Sequence, residues 1–165
     1  MRPVVRLVTA DLRLLDAALD GDDELARALG HRVVPGWATF AGALEHTRDA
    51  VAADPGSAEW GTRLFVAGDP PELVGWGGFK GPPGDDGVVE LGYEVAESRQ
   101  GRGLATAAVA AMAEQAFAGD SVAALIAHTL PEHNASTRVL EKSGFARDGE
   151  LREDGRRVWR WRRER

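Results

Sequence analysis

The stretch EVAESRQGRGLATAAVAAM, residues 94–112, decides how the rest of the chain is arranged. Gly101 and Gly103 flank an arginine and stand directly before a run that is nearly all alanine. The run predicts a helix that begins near Gly103 and packs closely on a sheet. The residues on its apolar face are Ala105, Ala108, Val109, Met112 and Ala116. The glycines have two interpretations: a plain turn, or a place where a charged ligand approaches the backbone.

The start of this helix suits an anion. The first turn of a helix carries unpaired backbone N–H groups and a partial positive charge. Gln100 and Arg102 add side-chain donors, so the stretch predicts a phosphate or pyrophosphate site. A Walker loop does not fit because the stretch has no lysine, and a dinucleotide fingerprint would need a third glycine at Thr106. An NAD-dependent oxidoreductase is therefore disfavoured.

The composition is typical of one globular domain, residues 1–165, with 44% hydrophobic and 28% charged residues. No segment approaches the roughly 18 apolar residues that span a bilayer, and the N-terminus lacks the apolar core of a signal peptide. We therefore expect a cytoplasmic protein without a membrane partner. The absence of cysteine excludes disulfides, thiolate nucleophiles and thiolate metal sites. A net charge of -6 argues against nucleic acid as a partner.

One end of the chain departs from this acidic balance. Residues 151–165 contain seven arginines and only three acidic residues. This segment is either a solvated terminal strand or a patch for an anionic partner.

The remaining pattern predicts an α+β protein. Strands are predicted at residues 4–8, 63–67, 73–79, 88–95, 122–129, 145–152 and 157–162. Helices are predicted at residues 12–19, 22–29, 40–53 and 135–142, besides the alanine-rich one, and Gly30 and Gly144 are placed to end two of them. Residues 33–38 are expected to form an irregular link. The predicted architecture is a single mixed, mostly antiparallel sheet flanked by helices.

Three stretches of the sequence together resemble one family. Residues 100–105, QGRGLA, match the pattern Q/R-x-x-G-x-G/A. Residues 131–136 read PEHNAS and are followed by RVLEKSGF at 138–145, and residues 89–95 read VELGYEV. The chain resembles the GNAT superfamily of N-acyltransferases, and within it the branch of the ribosomal-protein alanine and serine N-acetyltransferases. The likeness is strong from about residue 73 to residue 145 and weak before residue 64.

The resemblance implies acetyl-CoA as co-substrate and no metal. It implies that the pyrophosphate is held by Gln100, Gly101, Arg102, Gly103, Leu104, Ala105 and Thr106. The pantetheine arm would lie where strands 91–95 and 122–129 separate, and the Val95 amide would donate to the thioester oxygen. The asparagine of the branch falls on His133, with Asn134 one place later, so one of these two residues takes the contact with the pantetheine arm.

The acceptor amine needs a base, because an alkyl amine with a pKa of about 10.4 is almost fully protonated at neutral pH. Glu90 is the first candidate, since some GNAT enzymes carry a basic glutamate on the strand that leads to the cleft. Its alternative is an outward strand carboxylate, and Glu94 shares its face of the strand. His128 is the second candidate because histidine titrates in the right range. Its alternative is a hydrogen-bonded structural residue.

The departing thiolate needs stabilisation or a proton. Many GNAT enzymes use a tyrosine four residues before the glycine of Gly-Phe, and that position is Leu140 here. The ribosomal-protein branch presents a serine instead, which matches Ser136. The resemblance therefore implies that Ser136 is a catalytic residue, and capping of the helix start is its alternative role.

The acceptor is predicted to be a primary amine on a small molecule or a peptide, such as a protein N-terminus, an amino sugar, a polyamine or an antibiotic. Four aromatic residues either line its pocket or belong to the core: Trp37, Trp60, Trp76 and Tyr93. The oligomeric state stays open between a monomer and the homodimer that is common among similar proteins. The alternative function is a non-catalytic acyl-CoA-binding sensor that keeps the phosphate loop but not the chemistry.

Overall fold

The computed structural model describes residues 2–40 and 42–165, which form eight strands and five α-helices. The strands are β1 (Val5–Thr9), β2 (Arg32–Val33), β3 (Thr62–Ala67), β4 (Glu72–Phe79), β5 (Val88–Val95), β6 (Ala124–Thr129), β7 (Ala146–Glu153) and β8 (Arg156–Glu164). The helices are α1 (Leu12–Asp20), α2 (Asp22–Leu29), α3 (Ala43–Ala53), α4 (Leu104–Phe117) and α5 (Ala135–Lys142). Within the described ranges, none of these helices has both the length and the apolar character needed to cross a membrane.

The strands form one sheet with the order β1-β3-β4-β5-β6-β8-β7, and the two-residue β2 pairs with β4. Neighbouring strands are antiparallel except β5 with β6 and β2 with β4. Parallel neighbours need a crossover connection, and α4 makes it between β5 and β6. The predicted α+β class, with a single mixed and mostly antiparallel sheet, is confirmed.

Helices cover both faces of the sheet. One core, under α4 and α5, includes Phe65, Met112 and Leu125. The other core, under α1, α2 and α3, includes Leu25 and Leu64. Because side chains alternate along a strand, the neighbours Leu64 and Phe65 of β3 belong to opposite cores. All six residues of β3 are buried, as expected for a strand covered on both sides.

The helix ends follow the glycine signals in the sequence. Gly30 ends α2 in the left-handed conformation with a φ of 78°. Gly144, with a φ of 84°, follows α5, and its N–H donates to the Glu141 carbonyl at 3.2 Å. The Phe145 N–H donates to the Leu140 carbonyl at 3.0 Å, which completes a Schellman motif. This motif returns the chain sharply into the β7–β8 hairpin.

Two predicted elements begin two or three residues later than expected. The helix predicted from residue 40 begins at Ala43, because Gly42 has a φ of 80° and Thr39 is hydrogen-bonded to Glu94 on β5. The strand predicted from residue 122 begins at Ala124, because the Val122 carbonyl accepts a hydrogen bond from Arg165. In both cases a side chain distant in the sequence binds a backbone group near the predicted start of the element. The helix or strand that the local sequence predicts therefore begins later.

Two glycines on the neighbouring strands β4 and β5 differ sharply in the space around them. A Cβ on Gly77 would lie 2.3 Å from the Gly92 carbonyl oxygen and 2.7 Å from the Phe65 ring. A Cβ on Gly92 would meet only the Lys80 side chain, at 3.9 Å. We expect Gly77→Ala to lower the free energy of unfolding by about 3 kcal/mol, because the strands must move apart. Gly92→Ala, the matched control, should change it by less than about 1 kcal/mol.

Urea denaturation of the two variants beside the parent protein measures both values. Equal losses of stability in Gly77→Ala and Gly92→Ala would contradict the close approach of the two strands at Gly77.

Candidate active site

The centre of the sheet contains an opening between two strands. β5 and β6 pair only over Val88–Glu90 and Ala124–Ile126. Beyond this point β5 continues along β4, and β6 continues along β8. The two strands therefore separate at the level of residues 91–95, as expected from the sequence.

The backbone of Val95 faces this opening. In an antiparallel ladder, alternate residues direct their hydrogen bonds to the same neighbour. The Ala96 N–H donates to the Val74 carbonyl and the Lys80 N–H donates to the Glu90 carbonyl, both at 2.8 Å, so the even-numbered residues of β5 turn toward β4. Val95 must turn its N–H and carbonyl the other way. Its carbonyl accepts a hydrogen bond from the Gln100 side chain at 3.0 Å, and its N–H points into the opening.

Helix α4 begins at the mouth of the opening. Gly103 is its N-cap residue, with a φ of 79°, and among the described residues no side chain caps it. The first hydrogen bond of the helix runs from the Ala107 N–H to the Gly103 carbonyl at 3.0 Å. The N–H groups of Leu104, Ala105 and Thr106 therefore precede the helical ladder and are open to an anion.

The loop before α4 is braced from within. The Arg99 guanidinium donates to the Glu72 carboxylate at 2.6 and 3.2 Å and holds the pKa of Glu72 below its usual value. The Gln100 amide is used to hold Val95. The Arg102 guanidinium is exposed and lies 3.5 Å from the Ser98 carbonyl. Backbone amides, rather than the two side chains named in the sequence, are thus the prominent donors at this end.

Helix α5 forms the opposite wall of the opening. Asn134 is its N-cap: the Asn134 side chain accepts from the Thr137 N–H at 3.0 Å, and the Thr137 hydroxyl accepts from the Asn134 N–H at 2.9 Å. The capping role considered for Ser136 is therefore wrong, and its side chain has another partner. The Tyr93 hydroxyl lies 3.0 Å from both the Ser136 hydroxyl and the Ser136 carbonyl.

Two cavities meet at this point. The larger, of about 1190 Å³, runs from Val95 and the start of α4 to α5. The smaller, of about 570 Å³, extends over β4 and β6 and is lined by Trp76, Lys80 and His128 among others. The residues that line both cavities are Phe40, Tyr93, Glu94 and Ser136. A ligand in one cavity would thus contact a ligand in the other at these four residues.

A dyad of Glu90 and His128 lies beside the smaller cavity. The Glu90 Oε1 atom is 2.5 Å from His128 Nδ1 and 3.1 Å from Lys80 Nζ. A carboxylate only accepts, so this network places the proton of a neutral His128 on Nδ1 and leaves Nε2 as an acceptor. Nε2 is buried and has no hydrogen-bond partner among the described residues. An unpaired buried nitrogen is costly, which indicates a partner in the working protein.

Glu94 stands between the two cavities. Its carboxylate accepts from the Thr39 N–H at 3.0 and 3.1 Å, from the Trp76 indole at 2.8 Å and from the Thr39 hydroxyl. All these donors are neutral, so the carboxylate brings negative charge that no cation in its hydrogen-bond network offsets. The network also fixes the segment that connects β2 to α3 against the sheet.

Comparison with known proteins decides the family. The acetyltransferase (GNAT) domain profile matches residues 2–146, most of the chain. The chain belongs to the GNAT acetyltransferase family. As such it is an acetyl-CoA-dependent N-acyltransferase. N-acetyltransferase YjdG of Bacillus subtilis is 29% identical over 143 residues, which are 86% of this chain and 85% of YjdG.

Solved structures agree with this GNAT assignment. RimJ of Mycobacterium smegmatis, solved with CoA-disulfide, has 26% identity and a TM-score of 0.68, and the match covers 99% of this chain and 84% of RimJ. Aminoglycoside acetyltransferase AAC(6')-Ib, solved with coenzyme A and kanamycin, has 21% identity and a TM-score of 0.64, covering 99% of this chain and 95% of that one. The resemblance to the ribosomal-protein branch of the GNAT enzymes is thereby confirmed.

Most of the predicted GNAT site residues lie around the two cavities. The larger cavity is lined by Val95, Gln100, Gly101, Gly103, Leu104, Ala105, Thr106, Asn134 and Ser136. His133 does not join them: it is exposed, and its ring packs edge-on against Trp159 at 5.2 Å, because Asn134 takes the cap position. Arg102 is also outside the lining. Of the four aromatic candidates, Trp76 and Tyr93 line the smaller cavity, whereas Trp37 and Trp60 pack in the core.

Two cations of the GNAT site were missed from the sequence. Arg138 and Lys142 line the larger cavity on α5, opposite the start of α4. The lining residues of this helix include Ala135, Arg138, Val139 and Lys142, whose spacing is that of one helical face. That spacing is visible in the sequence and would have found both residues.

One cluster could hold a metal ion. Ligand atoms of Glu90, His128 and Glu153 lie within 4.8 Å of one another. However, Lys80 and His128 both contact the same Glu90 oxygen, so an ion would have to displace Lys80 and replace the hydrogen bond between His128 and Glu90. The expected absence of a metal stays a prediction.

Burial raises the pKa of Tyr93 to about 12 from an ordinary value near 10. We expect tyrosinate absorbance of the folded protein to appear near pH 12, and Tyr93 is the only tyrosine in the chain. Because the unfolded chain loses this proton first, the contribution of Tyr93 to stability is intact below pH about 10 and falls as the pH rises toward 12.

An ultraviolet titration checks this shift, with the urea-unfolded protein as control. A midpoint of the folded protein that coincides with that of the unfolded chain would contradict the burial of the Tyr93 hydroxyl.

Proposed function

We propose that the protein transfers the acetyl group of acetyl-CoA to a primary amine by direct attack of the amine nitrogen on the thioester carbonyl. The observation that carries the proposal is the separation of β5 and β6, which opens a passage between the two cavities. Acetyl-CoA occupies the larger cavity and the acceptor occupies the smaller one. The thioester then lies where both cavities share Tyr93, Glu94 and Ser136.

The anionic part of acetyl-CoA is held by two sides of the larger cavity. The N–H groups of Leu104, Ala105 and Thr106 donate to the pyrophosphate, aided by the partial positive charge of the helix start. Arg138 and Lys142 face them from α5 and add two cationic side chains. Because backbone N–H groups bind the pyrophosphate, the loop must let the phosphates come close to the main chain. Gly101 and Gly103 allow this approach, since they have no side chain and adopt left-handed conformations.

Val95 stabilises the charge that develops on the carbonyl oxygen. Its N–H is turned away from β4 by the alternation of the ladder, so it is available when the tetrahedral intermediate forms. A backbone donor aimed at such an oxyanion lowers the activation barrier by on the order of 3 kcal/mol.

His128 accepts the proton of the attacking amine, directly or through a water. Its Nε2 atom is the acceptor, and Glu90 positions the ring from the other side by accepting the Nδ1 proton. Glu90 itself is therefore a positioning residue and not the base, since it reaches the smaller cavity through His128. As the N–C bond forms and the C–S bond breaks, the electron pair of that bond passes to sulfur, and Ser136 stabilises the thiolate.

Two acceptor classes fit the smaller cavity. The uncompensated charge of Glu94, and the aminoglycoside bound in the AAC(6')-Ib structure, favour a cationic small-molecule amine. The likeness to RimJ favours a protein N-terminus as the second candidate. We propose the small cationic amine, because the cavity of about 570 Å³ is bounded by Phe40 and the glycine-lined surface of β4.

We expect Thr106→Glu to abolish the thermal stabilisation of the protein by acetyl-CoA. An acidic residue in the first turn of α4 suits the helix, so the unliganded protein should melt no lower than the parent. The same carboxylate repels the pyrophosphate. In the parent protein, acetyl-CoA at 100 times its dissociation constant adds roughly 2.7 kcal/mol, which differential scanning fluorimetry detects.

Ala110→Glu is the matched control, since Ala110 is an exposed residue on the same helix outside both cavities. This variant should keep the full shift with acetyl-CoA. If both variants lose the thermal stabilisation by acetyl-CoA, or if neither does, the assignment of the pyrophosphate to the start of α4 is wrong.

We expect His128→Asn to lower kcat by roughly 10²–10³-fold without weakening acetyl-CoA binding, because only the acceptor proton is affected. Release of free CoA thiol, measured over a panel of monoamines, polyamines, amino sugars and peptides with free N-termini, gives kcat and KM. His46→Asn, at an exposed position of α3, is the control and should leave both kcat and KM unchanged. If the protein binds acetyl-CoA but releases no thiol with any amine, it is an acyl-CoA sensor and the proposed transfer is wrong.

A further inference from the structure

We propose that Tyr93 is a positioning residue that holds the Ser136 hydroxyl toward the departing sulfur. This inference rests on the proposed acetyl transfer. Its structural basis is the contact between Tyr93 on β5 and Ser136 on α5, which joins the two walls of the larger cavity. The tyrosine that many GNAT enzymes carry on the helix is Leu140 here, so the phenol of this site comes from a different element.

The Ser136 hydroxyl is free for such a role. Asn134 and Thr137 already satisfy the start of α5 through their capping box, so the helix does not need Ser136. The hydroxyl lies 3.0 Å from the Tyr93 hydroxyl at the junction of the two cavities. The Ser136 carbonyl also lies 3.0 Å from the Tyr93 hydroxyl, whose single proton can be donated to only one of these two Ser136 oxygens at a time. Either contact ties the first turn of α5 to β5.

One strand thereby controls both ends of the thioester. Tyr93 and Val95 are two residues apart on β5, and roughly 3.3 Å per residue puts their Cα atoms about 7 Å apart. Val95 offers its N–H to the carbonyl oxygen, and Tyr93 sets the position of the group that meets the sulfur. Their relative placement is fixed by the pairing of β5 with β4 at Gly75 and Gly77.

Tyr93 does not act as the acid. Burial raises its pKa to about 12, whereas an ordinary thiol has a pKa of about 8.5. Transfer of the phenolic proton to the thiolate would therefore be unfavourable by a factor of more than about 10³. When the C–S bond breaks and sulfur keeps the electron pair, Ser136 donates a hydrogen bond to it. The thiolate later takes its proton from solvent, and both hydroxyls end the reaction protonated.

The phenol decides where the serine proton points. When the Tyr93 proton is donated to the Ser136 hydroxyl and not to the Ser136 carbonyl, the serine proton is directed away from the phenol and is available to the sulfur. Without the phenol, the Ser136 hydroxyl loses this partner, and its proton is no longer directed toward the sulfur. Tyr93→Phe should therefore weaken the stabilisation of the thiolate although Ser136 is still present.

The pKa of the CoA thiol in its complex with the protein tests the proposal. CoA itself is the probe, and the ultraviolet absorbance of the thiolate is followed against pH. We expect the parent protein to lower this pKa below that of free CoA. Tyr93→Phe and Ser136→Ala should each raise it again by about one unit, a tenfold change in acidity, which corresponds to one hydrogen bond to a charged group. The double variant should show no further change, because Tyr93 acts through Ser136.

Turnover gives a second readout. Tyr93→Phe should lower kcat by about tenfold and leave the KM for acetyl-CoA within about twofold, and Ser136→Thr, which keeps a hydroxyl, should recover most of the activity lost in Ser136→Ala. Ser143→Ala is the matched control: it removes a hydroxyl that donates to the Val139 carbonyl at 2.7 Å, at the far end of α5. This control should not change the thiol pKa.

The outcomes separate the two proposals. If CoA does not bind, the proposed function fails, and this inference with it. If CoA binds and the parent protein does not lower the thiol pKa, Ser136 does not meet the sulfur and the inference is overturned. If the pKa is lowered equally in the parent and in Tyr93→Phe, Tyr93 has no positioning role. Only a loss in Tyr93→Phe that is not additive with Ser136→Ala supports it.

Discussion

The short parallel pairing of β5 and β6 is the constraint on which the site depends. Only three residues of β5 pair with three residues of β6. Beyond them β5 stays hydrogen-bonded to β4, and β6 stays hydrogen-bonded to β8. Where β5 separates from β6, every second residue of β5 directs its N–H and carbonyl groups into the opening without a strand partner. The alternation of the ladder with β4 determines which residues these are. Val95 is one of them. The opening and the donor within it therefore have one cause, the end of the parallel ladder at Glu90.

The parts of the fold that local chemistry controls were predictable from the sequence. Gly101 and Gly103 take the left-handed conformations that a tight loop before a helix requires, and Gly144 ends α5 as expected. The class of sheet followed from the alternation and spacing of the strands. By contrast, nothing near Thr39 in the sequence indicates that its N–H is bound by Glu94, which lies 55 residues away. Contacts of this kind delay α3 and shape the larger cavity, which Thr39 and Glu94 both line.

The same distinction applies to the site. The family resemblance located the loop at residues 100–106 and named Glu90 and Ser136, and the end of a predicted strand named His128. Neither signal indicated which of these side chains contact one another. That Glu90 reaches the cavity through His128 depends on neighbouring strands in a particular register. That Ser136 meets Tyr93 depends on where α5 crosses the opening. His133 was named because a motif count has no information on which of two adjacent residues becomes the N-cap.

Glu94 connects events in the two cavities. Its backbone lies between Tyr93 and Val95. Its carboxylate accepts hydrogen bonds from Thr39, which lines the larger cavity, and from the Trp76 indole, which lines the smaller one. In the proposed reaction, a displacement of this network by an incoming amine would be passed to the short piece of β5 placed beside the thioester. Where acetyl-CoA and the amine occupy the two cavities as proposed, any effect of one on the binding free energy of the other must be equal in both directions. Such a coupling between the two substrates, at equilibrium and before any bond is made, would act through Glu94.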